Sequence, residues 1–188
     1  NHNDFSFSTP TATTVDSPFS FAVWLKRDSV GVNEAIFSKA AASNFEYRIF
    51  ALNNDIYCDT YDTSASSYTR RSKLNVMTTD WQHWIFAYSG DISGGNPWTI
   101  YRNGIALTSL GSGGGYGGDM ENLGAAFKVG AMDDTGYDYQ GKMMQAVLWN
   151  KEITAGEAKY LYADGAAHRD PMVATPAYSG HNNVVGWW

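Results

Sequence analysis

Apolar and polar residues alternate with a two-residue period through much of this chain, the signature of half-buried strands. Phe5 and Phe7 alternate with Ser6 and Ser8, which predicts a first strand. Residues 19–26 put Phe19, Phe21 and Val23 on one side and Ser20, Ala22 and Trp24 on the other, so both sides are partly apolar, as a central strand requires. Further strands are predicted over residues 35–39, 45–52, 56–61 and 67–71, then over 81–88, the most apolar of all, and over 99–102, 105–108, 127–130 and 143–149. Two hairpins are explicit: Asn53-Asn54-Asp55 tolerate a tight turn, and Asn103-Gly104 is the strongest short hairpin signal a sequence offers. Roughly ten or more short strands at this spacing predict a sandwich or barrel. Strand and helix do not alternate, which argues against a parallel sheet.

The stretch 141–162 departs from the period of two. An apolar run over 143–149 is broken by Asn150 and Lys151, and Thr154 with Glu157 then forms a capping box that opens a short helix. Ala158, Leu161 and Tyr162 recur at helical spacing, so one side of the helix faces the domain while Glu157 and Lys159 are expected to stay in water. Residues 111–118, Gly-Ser-Gly-Gly-Gly-Tyr-Gly-Gly, read as a flexible surface loop. After residue 165 the pattern fades, which divides the chain into a domain over 1–165 and a tail, or the start of a following module, over 166–188.

Composition sharpens this picture. The chain is 44% hydrophobic but only 17% charged, with abundant Gly, Tyr and Trp, as in a sheet protein rich in turns. A net charge of -6 argues against nucleic acid and against an anionic membrane surface as partner. Arg70 and Arg71, with Lys73 behind them, are read as a solvated strand end rather than a phosphate site. No apolar run approaches membrane-spanning length, so membrane insertion is not expected. Asn1 to Asp4 supply neither an initiator Met nor a signal-peptide n-region, as in a piece of a longer protein. Cys58 is the one cysteine, which excludes an intrachain disulfide and reads as a small buried hydrophobe.

Six pieces follow one another in a recognisable order: residues 16–26 (Asp-Ser-Pro-Phe-Ser-Phe-Ala-Val-Trp-Leu-Lys), Ile36-Phe37-Ser38-Lys39, Trp81-Gln82-His83-Trp84, residues 100–104 (Ile-Tyr-Arg-Asn-Gly), Val129-Gly130 and the stretch 141–162. Together they resemble a laminin G-like domain of the concanavalin A-like lectin/glucanase superfamily. The resemblance implies an all-β fold, a two-sheet antiparallel jelly-roll β-sandwich with one short C-terminal helix. The closing Val184-Val185-Gly186-Trp187-Trp188 is similar to tails of such domains in phage virion proteins. The expected role is a non-catalytic recognition or adhesion module, carbohydrate-binding, at a virion surface or otherwise extracellular. Its expected partners are a glycan or cell-surface polysaccharide and neighbouring virion or assembly proteins. A structural decoration or oligomerisation domain, and a glycan hydrolase with a non-standard site, remain the alternatives.

Glucanases of the superfamily carry Glu-x-Asp-x-x-Glu on one strand, where alternate positions bring the carboxylates to one face. None of Glu34, Glu46, Glu121, Glu152 or Glu157 begins that pattern. His83, between Trp81 and Trp84, reads as a sheet or core histidine rather than a base. The resemblance also implies calcium at the sandwich edge, with Asp133 and Asp134 as oxygen donors and Asp138 or Asp16 assisting; turn formation through Asx hydrogen bonds is the favoured reading of the same residues. Sugar binding needs flat aromatic faces beside polar groups. The loop aromatics Trp98, Tyr116, Tyr137, Tyr139, Tyr61 and Tyr68 are the candidates, whereas Trp24, Trp84 and Phe86 are assigned to the core.

Overall fold

The computed structural model describes residues 5–7, 16–41, 44–93, 97–115, 118–132, 136–165 and 170–188. Among these residues twelve strands and one α-helix follow in chain order: β1 (Phe19–Arg27), β2 (Glu34–Ala41), β3 (Asn44–Leu52), β4 (Asp55–Asp62), β5 (Ser67–Lys73), β6 (Gln82–Tyr88), β7 (Trp98–Arg102), β8 (Ile105–Ala106), β9 (Gly111–Gly114), β10 (Phe127–Val129), β11 (Gly141–Trp149), α1 (Ala155–Tyr162) and β12 (Val184–Trp187). They form two six-stranded antiparallel sheets, ordered β12-β11-β1-β6-β7-β8 and β10-β2-β3-β4-β5-β9. This is the expected two-sheet sandwich.

The period of two explains the packing. Phe19, Phe21, Val23 and Leu25 of β1, with Trp84, Phe86 and Tyr88 of β6, meet Phe37, Tyr47, Ile49, Ile56 and Cys58 of the second sheet in one continuous core. Cys58 is fully buried there, and burial pushes its thiol well up. Phe5 to Phe7 do not form the predicted strand. Phe7 instead stacks on Phe19 at 4.4 Å between ring centres, while its amide donates to Glu46 Oε1 at 3.1 Å.

Bulges adjust which residues face the core. The β2–β3 register shifts between Lys39 and Ala40, leaving Glu46 as the extra residue between Phe45 and Tyr47. Phe45 therefore turns outward and Tyr47 inward. The freed Glu46 carboxylate accepts Lys39 Nζ at 2.8 Å and Ser6 Oγ at 2.7 Å. Both Lys39 and Glu46 are fully buried, which their mutual pairing makes tolerable.

The outer faces of the two sheets differ. On the first, Ala22, Ile85, Ala87, Val147 and Trp149 are sealed by Ile153, Ala158 and Leu161 of the α1 region and by Tyr178. The capping box is present as expected, but Glu157 is buried rather than solvated. Its carboxylate accepts from Lys151, the Thr154 amide and Ser179, tying α1 to the segment that returns as β12. Among the described residues no helix covers the outer face of the second sheet.

The glycine-rich stretch also differs from expectation. Gly111–Gly114 forms β9, paired with β5 at the sheet edge, rather than a flexible loop. A side chain on Gly114 would fall 1.8 Å from Tyr68 O, so the glycines allow a backbone to lie flat against β5.

Candidate functional site

The uncovered outer face of β2–β5 collects a second set of aromatics. Phe45, Phe50, Ala35, Ala40 and Met132 are buried there, and Tyr57, Tyr61, Tyr68 and Tyr137 are half-buried against them. Hairpin register places them. In β3–β4, Arg48 pairs with Asp59 and Phe50 with Tyr57. In β4–β5, Asp59 pairs with Arg70 and Tyr61 with Tyr68. A single row across three strands is thus Arg48, Asp59, Arg70.

Asp59 is fully buried and accepts Arg48 Nε at 2.9 Å, Arg70 Nε at 2.7 Å and Arg70 Nη2 at 2.7 Å. The Asp59 hydrogen bonds hold the Arg70 guanidinium above its ordinary pKa. The guanidiniums also lie over rings: Arg48 Cζ is 4.0 Å from the Phe45 centroid, and Arg70 Cζ is 4.9 Å from Tyr57 and 5.0 Å from Tyr68. Phe50 stacks on Tyr57 at 5.3 Å, and Tyr137 meets Phe50 edge-on at 6.4 Å. Tyr137 is held here because its carbonyl accepts the Ala35 amide at 2.7 Å. The chemistry that flat rings and charged N–H donors offer together is binding.

The expected site residues divide accordingly. Tyr61, Tyr68 and Tyr137 share this face. Trp98 does not: it is 2% exposed and packs in the core at 5.0 Å from Tyr88 and 5.5 Å from Phe19, because the first residue of β7 points inward. Tyr139 packs with the main core beside Met143, and burial pushes its phenol up. Tyr116, Asp133 and Asp134 lie outside the described residues. Asp138 is exposed, whereas Asp16 is buried against Tyr88. Arg70 is not a solvated strand end, since Asp59 draws it onto the face.

No single residue's spacing singles out Arg48, Asp59, Phe50 or Tyr57. Their signal lies in hairpin arithmetic: folding the chain at Asn53-Asn54 sets Arg48 opposite Asp59, and the next hairpin sets Asp59 opposite Arg70.

Asp16 bears on the calcium expectation. Its Oδ2 accepts Tyr88 Oη at 2.8 Å and the Met120 amide at 3.0 Å, while Oδ1 is buried without a partner. Burial pushes its carboxyl up to about 6, against those hydrogen bonds and with further help from the charges of Asp119 and Glu46. Both carboxylate oxygens of Asp119 are likewise buried and unpartnered. Three orphaned hard oxygens suit a divalent cation. Among the described residues no three His, Cys, Asp or Glu side chains gather as a metal group, so backbone or water oxygens would have to complete such a shell. A shallow cavity of about 250 Å³ beside α1, lined by Lys159, Tyr160 and Asp164, is smaller than ordinary ligand pockets.

Comparison with known proteins places the fold. The family profile described as the concanavalin A-like lectin/glucanases superfamily, laminin G type, matches residues 1–159. No curated protein sequence matches significantly. Among solved structures, a candidate carbohydrate binding protein of Bacteroides ovatus ATCC 8483 superposes with a TM-score of 0.61 at 14% identity, over 99% of this chain and 50% of that one. The binding domain of botulinum neurotoxin serotype D gives 0.58 at 14% identity, over 84% of this chain and 38% of that one. A Ruminococcus gnavus sialidase CBM40 bound to alpha2,3 sialyllactose gives 0.57 at 8% identity, over 78% and 83%. The chain spans half the length of the Bacteroides protein and less of the neurotoxin domain.

Proposed function

The chain belongs to the laminin G-like group of the concanavalin A-like lectin/glucanase superfamily, and from that membership we propose a non-catalytic recognition module that binds carbohydrate through the outer face of β2–β5. The observation that carries this reading is the asymmetry of the sandwich. One outer face is sealed by α1 and Tyr178, while the other presents Tyr57, Tyr61, Tyr68 and Tyr137 around two arginines. Half-buried tyrosines offer ring surface and a hydroxyl together, which suits a sugar with apolar and polar sides. The binding proteins among its structural neighbours support the reading.

A glycan array probed with the full chain tests it. Binding lost in Tyr61→Ala and Tyr68→Ala, at unchanged thermal stability, is the expected result. Silence of the array overturns the proposal.

The wider setting we propose is an extracellular or virion surface, with a cell-surface polysaccharide as target and assembly proteins as neighbours. Val185, Trp187 and Trp188 stand exposed on or beside the edge strand β12, which favours contact with such a neighbour and keeps the structural reading as second choice. Self-association or partner binding lost in Trp187→Ser, with no glycan bound, would select that second reading.

Calcium belongs to the same proposal, with Asp16 and Asp119 as its carboxylate ligands. The ion would join the segment before β1 to the segment between β9 and β10. A rise in melting temperature with calcium, reversed by a chelator and absent in Asp119→Asn, is expected; no calcium effect on the wild-type chain rules it out.

A further inference from the structure

How the rings of this face are held decides which sugars it suits. Arg48 Cζ lies 4.0 Å from the Phe45 centroid and 4.9 Å from Phe50. Arg70 Cζ lies 4.9, 5.0 and 5.6 Å from Tyr57, Tyr68 and Phe50. A ring face covered by a guanidinium is closed to the apolar side of a pyranose. Through the middle of the patch, therefore, the outward groups are N–H donors rather than bare rings.

Those donors are not all engaged. Arg48 reaches Asp59 through Nε, and Arg70 through Nε and Nη2. Among the described residues, both Nη atoms of Arg48 and Nη1 of Arg70 are left over from these bonds. Charge points the same way. Two guanidiniums share one fully buried carboxylate, so the trio Arg48, Asp59 and Arg70 by itself carries one net positive charge, on a chain whose net charge is -6. The arginine side chains are 23% and 22% exposed, open enough to be reached and dry enough for a charge-assisted bond to gain over water. Asp55, beside Tyr57, keeps its own charge and accepts the Asn75 amide at 2.8 Å and Tyr57 Oη at 3.3 Å. Tyr61 and Tyr68, directly opposite one another on β4 and β5, flank the charged row.

We infer that the ligand of this face is an acidic glycan whose carboxylate or sulfate is taken by the guanidinium nitrogens of Arg48 and Arg70 that Asp59 does not engage, with its sugar ring against Tyr61, a tyrosine of this face that no guanidinium covers among the described residues. This rests on the carbohydrate-binding reading and adds the class of sugar. Arginine suits the task because its planar fork matches a two-oxygen anion, which a lysine ammonium does not. Asp59 is the positioning residue: it accepts from both forks and balances only half their charge.

Titration of the full chain with polygalacturonate, carboxyl-reduced polygalacturonate, heparin and a neutral dextran distinguishes the outcomes. Polygalacturonate is expected to bind at least about tenfold tighter than its reduced form, as one charge-assisted contact implies. Its affinity should fall as sodium chloride rises. Arg48→Gln, which breaks one bond to Asp59 and leaves the Arg70 pair, should lose about tenfold for the acidic polymer. Arg48→Lys, which keeps the charge without the fork, should fall between. Heparin bound in preference to polygalacturonate assigns the anion to sulfate, the reverse to carboxylate. Equal binding of acidic and neutral polymers, or an Arg48→Gln chain that binds as well as wild type, overturns the acidic assignment while leaving the glycan reading intact. Failure of all four polymers, with no glycan bound on the array, overturns both.

Discussion

Arg70 chelates Asp59 through two bonds of 2.7 Å, from Nε to Oδ1 and from Nη2 to Oδ2, across adjacent strands of the uncovered sheet face. Arg48 adds one bond of 2.9 Å from the other side. Loss of Arg70 should therefore destabilise the fold by about 2 kcal/mol and loss of Arg48 by about 1 kcal/mol. The double alanine variant should exceed their sum, because Asp59 is then a buried carboxylate with no cation. Urea denaturation of the four chains of this cycle measures the coupling, and simple additivity would contradict a shared carboxylate.

The glycine strand makes a second contrast. Gly114 has φ +88° and a Cβ there would lie 1.8 Å from Tyr68 O, whereas Gly124 has nothing within 4 Å. Gly114→Ala should cost about 2 kcal/mol or more and loosen β9 from β5, since both backbone strain and a clash act together. Gly124→Ala should be close to neutral. Thermal melts, with hydrogen exchange at residues 69–72, would separate the two.

His83 ties stability to pH. It lies under α1, with ring centres 5.0 Å from Trp24 and 6.2 Å from Tyr162, and its Nδ1 has no partner. Burial pushes its imidazole down to about 3 from 6.5. The unfolded chain thus takes up a proton that the folded chain refuses, so stability is full above pH 6.5 and declines toward pH 3 at about 1.4 kcal/mol per unit. In calcium-free buffer Asp16 has the opposite sign: its folded value of about 6 exceeds the ordinary 3.8, so acidification across that interval favours the fold. Replacing His83 with Phe should remove the acid loss and expose the Asp16 contribution as a gain between pH 6 and 4. A His83→Phe chain with the wild-type pH profile would refute this assignment.

Glu157 anchors the helix more firmly than its cap alone. Burial would raise its carboxyl, but Lys151, Thr154 and Ser179 together hold it down at about 2. Its contribution is present above pH 4.5 and fades as pH falls toward 2. Thr154→Ala should cost about 1 kcal/mol as a lost N-cap. Glu157→Ala should cost about 2 kcal/mol, because it also releases Lys151 and Ser179. Chemical denaturation at pH 7 ranks the two, and equal costs would reduce Glu157 to its capping role.

Alternation, turn residues and the Thr154–Glu157 box made most strands, both hairpins and the helix legible in one dimension, because each depends on residues a few positions apart. The sandwich was legible for the same reason, as amphipathic strands must bury one face. Three things were decided only when distant segments met. The glycine run became a strand because β5 offered an edge and no side chain stood in the way. Trp98 was lost to the core because whether a residue beside a turn points in or out depends on strand register, which no local signal sets. The row Arg48–Asp59–Arg70 exists only once three strands lie side by side, since a buried carboxylate between two guanidiniums is stabilised by neighbours 11 positions away on either side. Sequence determined what the sheets are made of, and tertiary structure decided which of their two outer faces stayed open.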